Sequence, residues 1–503
     1  MSDFYLSLDI GTSSVRAVLF DENGYQKRIE SIEYGLISTI GGRAEIDPDF
    51  VFDSALKVIK TCVSGGYKPS GIGISCHMHS FMLIGKDGRP LSNLLTWADS
   101  RSAAEAGYIA HSFDADDLYK RTGCRVQHPL YPVSKLLWFK RHEPEAFNAA
   151  HKFITIKEYI IFRLYGEFIV DYTLASCQGY YNIRSQNWDT HILKDILGIG
   201  VDRLSEVAEC THILKGFRSE FEEALGIPRD TPLVIGSGDG IMANVGCGVF
   251  DDTAFSSTIG TSGAVRTAVD SPLLDPQQRT WCYSFTRDMW VAGGAINNGG
   301  IALKWLKEEF RQQFEYDAGK EGESIYRLFD RFAGEIPAGS EGLVFLPYLT
   351  GERCPDWNAN ARGLMFGLGY AHGRKHIIRA AMEGVMYRLY SVYEVLTALR
   401  NNAVQIRANG GYAASDLWLQ IQADIFNKEV HVLGVTEASA LGAAYTAMYA
   451  LGAVKDMKSA LPGMAVKKVV RPVEENACAY RKHYELAMQI YNDIYYRREG
   501  ELS

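Results

Sequence analysis

The sequence has no GxxxxGKS/T, no GxGxxG and no HExxH. Their absence excludes, by pattern, a P-loop kinase, a dinucleotide enzyme with the usual fingerprint and a zincin hydrolase. It also lacks CxxC. The nine cysteines stand singly at 62, 76, 124, 177, 210, 247, 282, 354 and 478, which reads as reduced thiols rather than a disulfide framework or a zinc site. No long basic run occurs and the net charge is −8, which argues against a nucleic-acid partner. An anionic substrate therefore has to be met by local cations and backbone amides, not by the overall field. No uncharged stretch reaches membrane-spanning length, and Met1 leads straight into Tyr5-Leu6-Ser7-Leu8-Asp9. The expectation is a cytoplasmic protein with no membrane partner.

The 503 residues exceed what one hydrophobic core usually serves, and glycine is plentiful at 48, so two domains with many tight turns are expected. An internal echo supports this. Residues 10–18 read IGTSSVRAV and residues 259–269 read IGTSGAVRTAV, about half the chain apart. Each follows a β-rich run and reads as strand, Gly-Thr turn, strand. Strands are expected at 72–75, 233–235 and 404–408. Helices are expected at 242–249, 306–310, 376–399, 417–426 and 480–494. Alternating strands and helices give an α/β fold, with domains 1–248 and 249–503.

The turn Asp9-Ile10-Gly11-Thr12-Ser13 has the logic of a phosphate site: glycine permits close backbone approach, amides and hydroxyls meet oxygens, and a carboxylate serves Mg²⁺. Gly260-Thr261-Ser262-Gly263 repeats it without the acid. Either alone is also an ordinary hairpin. Asp239, in GSGDG at a strand-to-helix junction, reads either as a helix cap or as a base that takes a proton from an attacking hydroxyl. Gly410-Gly411 precedes a helix, as a nucleotide-binding turn does. The EASALG run at 437–442 reads as tight helix packing. His77-Met78-His79 ends a strand, and two histidines two residues apart make no convincing zinc site. Trp97, Asp99 and Arg101 combine an aromatic face, an acid and a cation, which suits a polyhydroxylated ligand, although Asp99 also fits a cap.

Over nearly its whole length the chain resembles the FGGY family of carbohydrate kinases. DIGTSS resembles that family's first phosphate loop, PVSKLLW at 132–138 its first signature, GLMFGLGYAHGRKHIIRAAME at 363–383 its second, and GGYAASDLWLQ at 410–420 its adenosine segment. The resemblance implies two actin-like, ribonuclease H-like ATPase domains flanking a catalytic cleft, the first for sugar and the second for ATP. It implies Asp239 as catalytic base, and Asp9 with Asp239 as holders of Mg²⁺, directly or through water. It also implies that Gly11, Thr12, Ser13, Arg16, Gly260, Thr261 and Gly299 serve the phosphates, and that Gly410, Gly411, Ser415 and Gln420 serve the nucleotide. Arg16 stands where many relatives have lysine. Met78, His79, Trp97, Asp99, Arg101, Lys135 and Asp239 are the implied substrate contacts.

Within the family, TWADSRS, GERCPDWNANARG and GGAINNGG look closest to gluconate kinases, with xylulose kinases the alternative. A gluconate carboxylate needs a cation, and Arg101, then Lys135, then His79 are the expected choices. The small-molecule partner is thus a sugar or sugar acid; a homodimer is entertained, but nothing in the sequence fixes the assembly. The competing classes are an actin-like or chaperone-like switching ATPase and a kinase-derived binding protein without activity. Asp9, Asp239 and the TWADSR segment favour an enzyme.

Overall fold

Strand β1 (Phe4–Ile10) is buried from Tyr5 onward, and a Gly-Thr turn folds it back into β2 (Ser14–Asp21) and then β3 (Gln26–Glu33). With β4 (Pro69–Cys76), β5 (Ile213–Leu214) and β6 (Leu233–Gly238) they form a six-stranded sheet in the order β5-β6-β4-β1-β2-β3. β1 and β6 both run parallel to β4. These three strands are apolar almost throughout, as strands covered on both faces must be.

The computed structural model describes residues 3–39, 41–434 and 436–495. Contacts group the chain into two units. The first holds the residues up to Asp251 together with Ala268–Ala292 and Glu437–Ala465; the second holds Asp252–Thr267, Gly293–Thr436 and the chain from Val466. The expected boundary at 248–249 lies close to the first crossing, but one cut does not describe the division. The helix Ala438–Ala450 packs in the first unit because its small residues admit backbone contact. A Cβ on Gly442 would meet Met242 O at 1.9 Å, and one on Gly246 would meet Ala438 O at 1.9 Å. On the sheet side, a Cβ on Gly73 would meet Ala443 O at 2.0 Å. The expectation that EASALG opens a packing helix is what the structure shows.

Local signals explain the helices that frame the sheet. Asp47 caps Pro48–Val63 by accepting from the amides of Asp49 and Phe50. Thr155 and Glu158 form a capping box on Ile156–Tyr165, and Gly166 ends that helix at φ 82. The helix expected at 242–249 runs instead over Asp239–Gly246, because Gly238 takes the cap position.

In the second unit, β7 (Ala254–Ile259), β8 (Gly263–Val269), β9 (Gln405–Asn409), β10 (Glu429–Leu433) and β11 (Val466–Val470) run in the order β8-β7-β9-β10-β11. The plan repeats that of the first unit: a Gly-Thr hairpin β7–β8 with β9 parallel to β7. The 26-residue helix Arg374–Leu399 supplies much of this unit's core. Eight cysteines are buried, Cys478 is exposed, and none of these nine is in a disulfide. Among the described residues no helix is long and apolar enough to cross a membrane.

Candidate functional site

Register brings the first unit's candidates to one edge. Ile10 lies opposite Cys76, and Cys76 opposite Gly238. The residues that follow, Gly11, His77 and Asp239, therefore leave the sheet side by side at the carboxyl ends of three parallel strands, where ligands of open α/β sheets bind. Asp239 is half-buried at the first position of its helix; its Oδ1 accepts from Gly240 N at 2.7 Å, and the capping position belongs to Gly238. Met78 packs here too: a Cβ on Gly238 would meet its Cγ at 2.8 Å.

Asp9 is 2% exposed, directly across the hairpin from Arg16, whose Nη2 lies 3.3 Å from Asp9 Oδ2. Arg16 Nη1 lies 2.6 Å from Glu437 Oε2. The guanidinium expected on phosphate thus faces two carboxylates. Glu437 had no signal beyond its place before a helix, since it stands far from Arg16 in sequence. At the turn, Gly11 N donates to Ser14 O, Thr12 Oγ1 accepts from Trp97 Nε1 at 3.1 Å, and Ser13 is exposed. The Gly-Thr turn and the indole are therefore one construction.

Two of the expected carboxylate-binding cations are occupied. The Arg101 side chain is 5% exposed; Nε and Nη2 donate to Asp99, and Nη2 also donates to Glu45. Asp99 in turn accepts from Ala44 N at 2.9 Å. Arg101 and Asp99, both expected at the substrate, hold each other in this structure. Lys135 is fully buried, and its Nζ donates to the carbonyls of Thr96 at 2.7 Å, Leu130 at 3.1 Å and His79 at 3.5 Å. Burial pulls its pKa down to about 7. Lys135 ties together the segments that carry Trp97 and His79. His79 is half-buried at φ 62, with Nε2 2.9 Å from the Tyr283 hydroxyl. His77 is buried, its Nδ1 is 3.2 Å from Ile10 O, and burial lowers its pKa to about 4.

In the second unit Thr258 lies opposite Asn409, so the turns at Gly260 and Gly410 again leave from neighbouring parallel strands. Gly260 and Thr261 are exposed. Their carbonyls are held from behind, Gly260 O by Gly300 N at 2.7 Å and Thr261 O by Gly299 N at 3.1 Å. Gly299 is thus a brace: a Cβ there would meet Ser262 backbone at 2.5 Å. Gly410, at φ 92, presses against Ile259 O, and Gly411 opens into free space. Ser415 caps Asp416–Phe426 by accepting from Trp418 N, and donates to Asp330 Oδ1 at 2.7 Å. Gln420 donates to Asp424 Oδ1 and Arg471 O. Both side chains, expected at the nucleoside, are engaged within the second unit, Ser415 with Asp330 and Gln420 with Arg471.

Two α/β units, each with a glycine hairpin at the end of parallel strands and one with two acids beside it, have the form of a nucleotide-phosphate site. The match to known proteins narrows this. Residues 4–246 match the N-terminal domain, and residues 255–451 the C-terminal domain, of the FGGY family of carbohydrate kinases. The chain belongs to that family, with its actin-like ATPase fold, and its reaction is phosphoryl transfer from ATP to an alcohol. It is 39% identical to the gluconokinase of Bacillus subtilis (strain 168) over 96% of this chain and 94% of that one. A crystal structure of gluconate kinase from Lactobacillus acidophilus aligns over 100% of both chains at TM-score 0.92 and 35% identity. A ligand-bound xylulose kinase from the same organism aligns over 100% of both chains with the same TM-score of 0.92 and the same 35% identity.

Proposed function

We propose that this kinase transfers the γ-phosphate of Mg²⁺-ATP to the terminal hydroxyl of D-gluconate, giving 6-phosphogluconate. The observation that carries the reading is the 39% identity to a gluconokinase over nearly the whole of both chains. In this reading residues 1–248 bind the sugar acid and residues 249–503 the nucleotide. Asp239 accepts the proton of the attacking hydroxyl, as a half-buried carboxylate at a strand end suits. Gly11, Thr12 and Ser13 serve phosphate oxygens, as do the exposed Gly260 and Thr261. Gly410 and Gly411 pass the nucleotide.

Asp9, Arg16 and Glu437 sum to one negative charge, and Asp239 adds another at the same sheet edge. Mg²⁺ takes one or two carboxylates together with phosphate and water rather than an all-protein cage. The carboxylates of Asp9 and Asp239 fit that ion. Asp9 and Asp239 would hold it, and the ion would offset charge on the phosphates. In this reading His79, beside Tyr283, meets the substrate carboxylate, with Met78 and Trp97 against the carbon chain.

A second reading, D-xylulose as acceptor, has the equal structural likeness to a xylulose kinase behind it. Purified protein with Mg²⁺-ATP and a panel of aldonates and ketoses decides. Gluconate-dependent ADP formation, with kcat/KM about tenfold or more above that for D-xylulose, is expected. Preference for xylulose contradicts the gluconate assignment, and turnover without any sugar contradicts the kinase cycle itself.

A further inference from the structure

The strand that carries Asp239 is irregular just before it. β6 pairs with β4 in register at Val234–Gly73 and again at Ser237–Ser75, so one extra residue is inserted between. Gly236 makes this possible at φ 60, where a Cβ would meet Ile74 O at 1.8 Å. Such a bulge leaves backbone groups without ladder partners and re-aims the side chains that follow. Here the amides of Ile235 and Gly236 donate to His212 O at 3.1 Å and Cys210 O at 2.9 Å. The carbonyls turn the other way, to a side chain from another element. Lys157, on the helix Ile156–Tyr165, donates from Nζ to Ile235 O at 3.0 Å and Gly236 O at 3.3 Å.

Lys157 is fully buried, and its ammonium is ion-paired with Asp171, which is equally buried. Asp171 Oδ1 accepts from Ser237 Oγ at 2.9 Å and from Thr173 N at 3.0 Å. Three consecutive residues, 235 to 237, are thus tethered by one buried pair, and Asp239 stands two residues beyond. Gly238, between them, is hemmed by Met78 Sδ at 3.0 Å and Thr173 Cγ2 at 3.2 Å from a would-be Cβ. The backbone from the bulge to Asp239 is thus held by Lys157 and Asp171 on one stretch and by the close contacts at Gly238 on the next. A salt bridge this deep is weak evidence for stability, whereas an ammonium capping two orphaned carbonyls fixes a geometry.

We infer that Lys157 and Asp171 are positioning residues that set the orientation of the Asp239 carboxylate; this rests on the reading of Asp239 as the base. The test is the double variant Lys157→Met/Asp171→Asn, which removes both charges together and leaves an acceptor at 171 for Thr173 N and Ser237. With the best acceptor of the sugar panel, kcat should fall about ten- to a hundredfold, as misplacement of a reacting group does. KM for ATP and for the sugar should stay within about threefold. In an Asp239→Asn background the same pair of substitutions should cost less than about twofold, because the group it positions is already gone.

A folded double variant with kcat within about threefold of the parent overturns the inference, and so does an equal loss in the Asp239→Asn background. Wild-type turnover by Asp239→Asn alone overturns the base reading and this inference with it, which separates the two failures. Should the double variant not fold, Ser237→Ala removes one tether and leaves the ion pair. A kcat about three- to tenfold lower at unchanged KM supports the inference, and an unchanged kcat overturns it.

Discussion

The two Gly-Thr hairpins share a sequence and a strand plan yet are built for different work. In the first, the residue before Ile10 is Asp9, matched across the hairpin by Arg16, and the Thr12 hydroxyl is tied to Trp97. In the second, the residue before Ile259 is Thr258, which donates to Asn409, and Thr261 is exposed over a brace of helix amides. The first hairpin sets its arginine against an acid and ties its hydroxyl to an indole; in the second, Arg266 Nη1 donates to Thr258 Oγ1 at 3.3 Å, and Thr261 is exposed. The turn is common to both, and the flanking residues differ.

The largest effect expected is on the first unit's fold rather than its specificity. Arg101→Leu leaves Asp99 and Glu45 without their cation and should cost about 3–5 kcal/mol in denaturant unfolding. What activity survives should fall alike for gluconate and for a neutral sugar; selective loss of gluconate would return Arg101 to the substrate. Next is the acid sensitivity of the first hairpin's neighbour, His77. Its folded pKa of about 4 lies below the unfolded value near 6.5. The unfolded chain therefore takes up a proton first, and stability present above pH 6.5 is lost as pH falls toward 4, by roughly 3 kcal/mol in all. His77→Gln should flatten that part of the pH–stability curve, and an unchanged slope would refute it.

On the second hairpin, Thr261→Val should lower kcat/KM for ATP about tenfold, a loss of ~1.4 kcal/mol, while sugar binding without nucleotide stays the same. Equal weakening of sugar binding would contradict the division of labour. The smallest effect is Ser415→Ala. As a helix cap it should cost about 1 kcal/mol of stability with KM for ATP unchanged; a large rise in that KM would restore Ser415 to the nucleotide.

The α/β class, the hairpin repeat and most strands were legible because they depend on local signals: apolar runs, Gly-Thr turns and helical periodicity. The structure puts β4 over Pro69–Cys76 and the long helix over Arg374–Leu399, around the runs the sequence marks. Partnerships between distant residues were not legible. That Arg16 answers Glu437, that Arg101 is enclosed by Glu45, and that Lys157 reaches the β6 bulge depend on how separate segments meet. A residue type at a plausible motif position shows that a charge is present, not whether a carboxylate from elsewhere already holds it. Ser415 and Gln420 show the same limit for hydrogen bonds.

The central claim is that Asp239 takes the proton at a site otherwise intact. Single-turnover phosphorylation by Asp239→Asn, with ATP and gluconate binding measured separately, tests it most directly. The account predicts a rate lower by about 10²–10⁴ with both affinities near those of the parent. A rate close to the parent's at the same affinities would contradict it.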